Sequence, residues 1–276
     1  MRNSELRDAM VTLWLFVMRK ILYTLLALAG GAFAQEKKEA VKEMTLASYN
    51  IKHGAGMDGQ LNLERTIGVL KKIDADIVAL QEVDNKCTRS KKVDQAAVIA
   101  KALGMKHAYA KAMNFQGGEY GLAVLSKYPI LEMKRHEFPS VGEPRVAMEI
   151  IVEPVKGQKM SFISLHFDYV SEEIRQPQIK ALFKALENTK HPVVLIGDFN
   201  ATPDSDSIKL FAQEWTNIPK KGDNLTAPAS KPRNEIDYFM TRGIDASKLT
   251  CTVIEEKVAS DHRPLMMKLP LPEVKK

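Results

Sequence analysis

Cysteine is scarce in this chain of 276 residues: Cys87 and Cys251 are the only two. Two cysteines do not make a disulfide framework, and no Cys–His cluster exists, so a stapled scaffold and a structural zinc site drop out. Two unpaired, partly buried thiols are expected instead. No G-x-S-x-G and no P-loop occur, which removes two large families of hydrolytic site. No internal repeat or low-complexity segment is visible. No arginine-rich stripe interleaved with aromatics runs along the chain. The mild basicity, a net charge of +6 and a pI near 9.1, therefore fits an anionic substrate or surface without selecting nucleic acid. Hydrophobic residues at 45% and charged residues at 27% fit an ordinary soluble globular protein.

A membrane-length apolar run is missing too. The run from Ile21 is too short and too soon ended by Gly30 to span a bilayer comfortably. A longer anchor that uses Val11 to Val17 is disfavoured, because Arg19 and Lys20 interrupt it. Met18-Arg-Lys20 before the run and Ala32-Phe-Ala34 after it have the pattern of a signal peptide. Cleavage is expected after Ala34, with Met18 as the true start and residues 1–17 as an upstream extension. No cysteine follows the apolar run, so no lipoprotein anchor is expected. The implied location is exported, periplasmic or secreted, in a bacterium. The expected layout is 1–34 extension plus signal peptide, 35–43 flexible lead-in, 44–270 one domain, and 271–276 a tail.

What the chain does contain is a series of apolar runs that end in polar residues. Val193 to Ile196 reads as a buried strand, closed by Gly197 and followed by Asp198 and Asn200. Side chains two apart on a strand share a face, so this carboxylate and amide point the same way. Such residues make a poor core. They make a good site at the carboxyl end of a sheet strand. A plain strand-to-loop turn explains Gly, Asp and Asn equally well on this stretch alone.

The rest of the chain repeats the theme. Met44 to Ile51 predicts a strand ending at Asn50, and Ile77 to Glu82 predicts one ending at Glu82. Helical spacing predicts helices over Leu61–Lys72, Asp94–Leu103, Glu172–Leu186 and near Ser207–Gln213, with Pro177 in the first turn of its helix or kinking it. Further strands are expected at His107–Met113, Gly121–Leu125, Pro129–Phe138, Arg145–Glu153, Lys159–His166, Glu235–Met240, Leu249–Glu255 and Pro264–Leu269. Residues Gln116–Tyr120 read as a loop, and Asn217–Asn234 as a long loop at the site rim. Hairpins alternate with helical crossovers and no linker breaks the series, so one mixed α/β domain with two sheets packed face to face is expected. The polar residues at strand ends or in adjoining loops are oxygen-rich, and hard oxygen ligands suit Mg²⁺, Mn²⁺ or Ca²⁺.

Seven short pieces, in order, carry a resemblance. They are Ser48-Tyr-Asn-Ile51, Leu80-Gln-Glu-Val83, Glu119-Tyr-Gly-Leu-Ala-Val-Leu-Ser126, Ser164-Leu-His166, Gly197-Asp-Phe-Asn-Ala-Thr-Pro203, Ile236-Asp-Tyr238 and Ser260-Asp-His262. The chain resembles the endonuclease/exonuclease/phosphatase superfamily over essentially all of 44–270. The resemblance implies a four-layer α/β sandwich, two mixed mainly antiparallel sheets flanked by helices, with the site between the sheet ends. It implies Glu82 as principal Mg²⁺ ligand, Asn50 as a metal-shell or water-positioning amide, and Asp261 as an aid to the metal. Asp198 would orient or deprotonate the attacking water, and Asn200 would donate to phosphoryl oxygens or the nucleophile. His262 would contact phosphate with Asp237 fixing its tautomer. His166 would bind phosphate or protonate the leaving oxygen, supported by Glu119. Arg145, Arg89 and Tyr120 would line the substrate pocket. His53, His107, His136 and His191 have no motif context and are assigned to surface or structure.

The implied activity is metal-dependent phosphoester hydrolysis. A small or lipid-linked substrate is favoured over nucleic acid, because Asp84 stands where deoxyribonucleases place an arginine against DNA. Leu122 stands where many relatives have Asn, which changes pocket polarity. A secreted nonspecific nuclease is the alternative. A noncatalytic phosphate- or lipid-binding module ranks below both, because it predicts a broken site. No stable protein partner is expected, and the chain reads as a monomer.

Overall fold

The computed structural model describes residues 43–271. The expected signal peptide, its cleavage point, nearly all of the lead-in and most of the tail lie outside these residues. The twelve strands among the described residues form two six-stranded sheets. The first contains β1 (Glu43–Asn50), β2 (Ile77–Asn85), β3 (Lys106–Phe115), β4 (Gly118–Ser126), β11 (Cys251–Val253) and β12 (Leu265–Pro270), in the order β11-β12-β1-β2-β4-β3. The second contains β5 (Glu132–Glu137), β6 (Val146–Val155), β7 (Gln158–His166), β8 (Val193–Asp198), β9 (Thr216–Asn217) and β10 (Asp237–Arg242), in the order β5-β6-β7-β8-β10-β9. Only β1–β2 and β7–β8 run parallel. Each parallel pair is joined through a helix, as a parallel connection requires.

Among the described residues, four α-helices cover the outer faces. Helix α1 (Leu63–Ile73) starts where Asn62 accepts a bond from the Arg65 amide and stops at Asp74, which adopts a left-handed conformation. Helix α2 (Gln95–Leu103) is capped by Asp94, which accepts from the Ala97 amide, and stops at Gly104. Asp94, expected inside the helix, is thus its cap. Ile67, Leu70 and Ile99 bury themselves against Tyr49, Val78, Leu80 and Leu125 of the first sheet. Helices α3 (Glu172–Leu186) and α4 (Asp206–Phe211) bury Ile179, Leu182, Ile208 and Phe211 against Ile163, Leu165, Leu195 and Tyr238 of the second. A third core joins the two inner sheet faces through Leu46, Val124, Met148, Ile150, Phe162, Ile196, Phe239 and Met267. Each such buried side chain contributes about 1.5–3 kcal/mol of transfer free energy. The result is the expected four-layer α/β sandwich.

Several expected boundaries move. Pro177 lies inside α3, beyond its first turn, so the helix runs on without that amide. The expected strand over Leu249–Glu255 shrinks to Cys251–Val253. Strand β4 begins at Gly118, so the expected loop at 116–120 is a tight hairpin turn. The long segment 217–234 runs behind the His262 segment instead of lining the cleft: the Ala229 amide donates to Asp261 O at 2.7 Å and the Arg263 amide to Thr226 O at 2.7 Å. Both cysteines are buried and free.

Candidate active site

The register of the sheets brings one set of polar residues to one edge. Asn50 ends β1, His166 ends β7 and Asp198 ends β8. The antiparallel partner β10 begins there, with Asp237 opposite Asp198. Strand β2 reaches the edge differently from the expectation. It does not stop at Glu82 but continues to Asn85 through a bulge between Leu80 and Val83. Glu82 sits at a positive φ of 57° within that bulge. A bulge re-aims a side chain, and left-handed backbone is costly for a non-glycine residue, so both features mark a constrained position. Asn200 is held in the same way, at φ 49°.

Close strand approach fixes the other side. A Cβ on Gly197 would lie 2.1 Å from Leu165 O. With its φ at +154°, only glycine fits against Leu165 here, and the next paired residues are His166 and Asp198.

Asp198 is the centre of the cluster and is almost wholly buried. Its Oδ1 accepts from the Asn200 amide at 2.9 Å, and its Oδ2 accepts from Asn50 Nδ2 at 3.2 Å. The same Asn50 Nδ2 donates to Glu82 Oε1 at 3.0 Å, so one amide separates two carboxylates. The Nε2 atoms of His166 and His262 lie 3.5 Å and 3.6 Å from Asp198 Oδ2. His262 Nδ1 meets Asp237 Oδ2 at 2.9 Å. Asn200 Nδ2 donates to Phe167 O at 3.0 Å.

Burial pushes the Asp198 carboxyl up, and the neighbouring Asp237 adds to it. Burial likewise raises Glu82. Burial on its own would lower His262, but the carboxylates of Asp237 and Asp198 override it and raise the imidazole. His166 goes the other way: burial lowers it well below the usual histidine range, and Arg145 and His262 lower it further.

A cavity of about 260 Å³ opens beside these groups, lined among others by Glu82, Arg89, Tyr120, Arg145, His166 and Asp198. Asp198, Asp237 and His262 bring one ligand atom each within 4.8 Å of one another, a buried cluster compatible with a divalent cation. With Glu82 beside them, the donors are mainly hard oxygens, which suit Mg²⁺, Mn²⁺ or Ca²⁺; Asn50 turns its Nδ2 to the carboxylates while its Oδ1 accepts from the Lys52 amide at 3.1 Å.

A sequence model described as "Endonuclease/Exonuclease/phosphatase family" matches residues 47–262. The chain belongs to that family. Within the endonuclease/exonuclease/phosphatase family, it is 25% identical over 218 residues to the uncharacterized protein YbhP of Escherichia coli, covering 73% of this chain and 86% of YbhP. A family structure from Bacteroides vulgatus superposes with a TM-score of 0.69 at 19% identity, covering 84% of this chain and 100% of the other. A mannosyl-6-phosphatase of Bacteroides thetaiotaomicron superposes with a TM-score of 0.64 at 17% identity, covering 81% of this chain and 98% of the other. At these identities the structural matches show the shared fold.

Measured against the family pattern, the structure gathers Asn50, Glu82, His166, Asp198, Asn200, Asp237 and His262 into one cluster. Asp261 stands at its edge, where its Oδ2 meets Lys52 Nζ at 3.0 Å. Tyr120 lines the cavity. Glu119 does not support His166. Because β4 begins at Gly118, alternation turns Tyr120 toward the cleft and Glu119 to the opposite face, where it meets Asn85 Nδ2 at 3.2 Å and Lys111 Nζ at 3.4 Å. Arg145 takes the place expected of Glu119: its Nη1 lies 2.8 Å from His166 Nδ1. The reading of Asp84 also changes. It is fully buried and holds Arg89 through two bonds of 2.9 Å and 2.8 Å, so it presents no free charge to a substrate. Arg89 in turn stacks on Phe115, 4.5 Å from the ring centroid. Sequence reasoning missed Met113, Phe115, Glu143 and Tyr169 as cavity residues. Phe115 was findable from its place beside the Gln116-Gly117 turn; the other three carry no local signal.

Proposed function

We propose that this chain is a Mg²⁺-dependent phosphoesterase that hydrolyses a phosphodiester or phosphomonoester of a small or lipid-linked substrate by in-line attack of water. The observation that carries the reading is Asp198: a buried carboxylate with a raised pKa, held by two asparagines and facing two imidazoles. A base tuned upward by burial suits proton removal from water near neutral pH. Asp198 accepts that proton, and the water oxygen attacks phosphorus opposite the leaving oxygen. Asn200 gives one amide hydrogen to Phe167 O and offers the other to a phosphoryl oxygen. His262, kept protonated by Asp237, offers its Nε2–H to the same group. Glu82, with Asn50 and Asp261 beside it, would hold a divalent cation, which would supply Lewis acidity and charge neutralisation. Arg145, Arg89 and Tyr120 hold the rest of the substrate.

The cavity's size supports a small group or a lipid headgroup over duplex nucleic acid, as does the mannosyl-6-phosphatase with the same fold. The pairing of Asp84 with Arg89 removes the charge argument against nucleic acid, so the nuclease reading rests on assay. Export, by the pattern at 18–34, and action as a monomer complete the proposal. The test is a panel of plasmid DNA, RNA, sphingomyelin, phosphatidylinositols, sugar phosphates and bis-p-nitrophenyl phosphate, with Mg²⁺ and with chelator. Chelator-sensitive turnover of a small or lipid ester is expected. Rapid plasmid nicking at low enzyme would replace it with the nuclease reading. Turnover that survives both Glu82→Ala and Asp198→Ala would show that the site lies elsewhere.

A further inference from the structure

The two histidines that flank Asp198 are held by partners of opposite charge. His262 presents Nδ1 to a carboxylate, Asp237 Oδ2, at 2.9 Å. His166 presents Nδ1 to a guanidinium, Arg145 Nη1, at 2.8 Å. A guanidinium has donors only and keeps its charge at every accessible pH. The bond can exist only if His166 Nδ1 carries a lone pair. The imidazole proton is then on Nε2, the atom 3.5 Å from Asp198 Oδ2.

Arg145 is not free to turn away. Its backbone is held on both sides, by its amide donating to Ser140 Oγ at 3.0 Å and its carbonyl accepting from the Phe138 amide at 3.2 Å. Glu143 Oε1 lies 3.2 Å from the same Nη1. Both Arg145 and His166 are buried. Protonating His166 at Nδ1 would set two N–H groups against each other beside a fixed positive charge. The charged groups around the ring are Arg145, His262 and Asp198, with Glu143 behind the arginine.

We propose that Arg145 is a positioning residue that locks His166 in the Nε2–H tautomer, making this histidine a fixed hydrogen-bond donor to a phosphoryl oxygen and withdrawing it from general-acid duty. The donor role rests on the phosphoesterase reading; the tautomer does not. In the reaction, the water oxygen bonds to phosphorus, its proton passes to Asp198, and the ester P–O bond breaks. The leaving oxygen then takes its proton from solvent water, not from His166. A sequence with a carboxylate at the position of Arg145 would invert this and make His166 an acid.

Two measurements test it. In ¹⁵N-histidine NMR of the full-length protein with Mg²⁺, at neutral pH, His166 should show its unprotonated nitrogen at Nδ1. Arg145→Lys should keep that pattern, and Arg145→Glu should move the proton to Nδ1. Finding wild-type His166 unprotonated at Nε2, or as an imidazolium, overturns the proposal without reference to any activity. The second measurement is kinetic. A p-nitrophenolate leaves without needing a proton, whereas an alkoxide needs one. His166→Ala should slow p-nitrophenyl and alkyl phosphoesters by the same factor, on the order of 100-fold, as loss of one preorganised donor does. A loss ten times larger for the alkyl ester would make His166 the acid. No turnover of either ester by wild type, with the NMR pattern as expected, would reject the phosphoesterase reading and the donor role while the lock itself stood.

Discussion

Gly197→Ala tests whether the spacing of β7 and β8 sets the geometry of the cluster. The new Cβ would fall 2.1 Å from Leu165 O, and real Cβ contacts essentially never come under 3.0 Å. The strands must part by about 0.9 Å to reach even that limit. The next pair along the ladder is His166 with Asp198, so the gap opens between these two residues. Overpacking of this kind costs about 1–3 kcal/mol, or roughly 2–12 °C in Tm at this size. A misplacement of about 1 Å costs on the order of 100-fold in rate. The assay is kcat/KM on bis-p-nitrophenyl phosphate with Mg²⁺, alongside a thermal melt. Gly68→Ala in α1 is the control, since a Cβ there meets nothing within 4 Å. It should leave activity alone and add about 0.8–1 kcal/mol by helix propensity. Wild-type activity and Tm in Gly197→Ala would refute the claim that this close approach builds the site.

Three other outcomes are expected. Asp237→Ala strips a buried imidazolium of its carboxylate, so stability should fall by about 3–5 kcal/mol; a change under 1 kcal/mol in denaturant titration would show that His262 does not depend on it. Glu149, though buried, has its pKa held down: burial alone would raise it, but His136 at 2.8 Å and Ser161 at 2.5 Å outweigh that. Its stabilisation is therefore complete above the ordinary value of 4.5 and disappears as pH falls through the lower folded value. Tm curves of wild type and Glu149→Gln should converge on acidification below 4.5; parallel curves would contradict the assignment. Arg89→Ala removes a cavity wall, so KM should rise by about 10-fold with kcat unchanged; an equal fall in kcat and kcat/KM would place Arg89 in the reacting shell.

The two-sheet fold and most of the cluster were legible because apolar runs ending in Asn50, His166 and Asp198 are local signals. What failed depended on register. Starting β4 at Gly118 puts Glu119 and Tyr120 on opposite faces, so Tyr120 lines the cavity while Glu119 turns away from His166. Glu82 was found as a site residue, yet the bulge that aims it leaves no mark in Leu80-Gln-Glu-Val83. The pairs Asp84–Arg89 and Arg145–His166 join residues 5 and 21 positions apart. A charge count along the chain cannot tell which acid neutralises which base, so Asp84 read as a free carboxylate. The His136–Glu149–Ser161–His191 chain of hydrogen bonds matches the structural role assigned to those histidines.

The strand order has a temporal consequence. The second sheet uses only the middle of the chain, β5 to β10, whereas the first takes β1 to β4 from before it and β11 and β12 from after it. Strand β12 lies between β11 and β1, and His262 stands just ahead of it. A ribosome delivers that strand last of the twelve. Until it emerges, β1 has one open edge and β11 has no neighbouring strand in the sheet. The second sheet can therefore assemble from one continuous stretch of chain, while the first closes only when its last strand returns to β1.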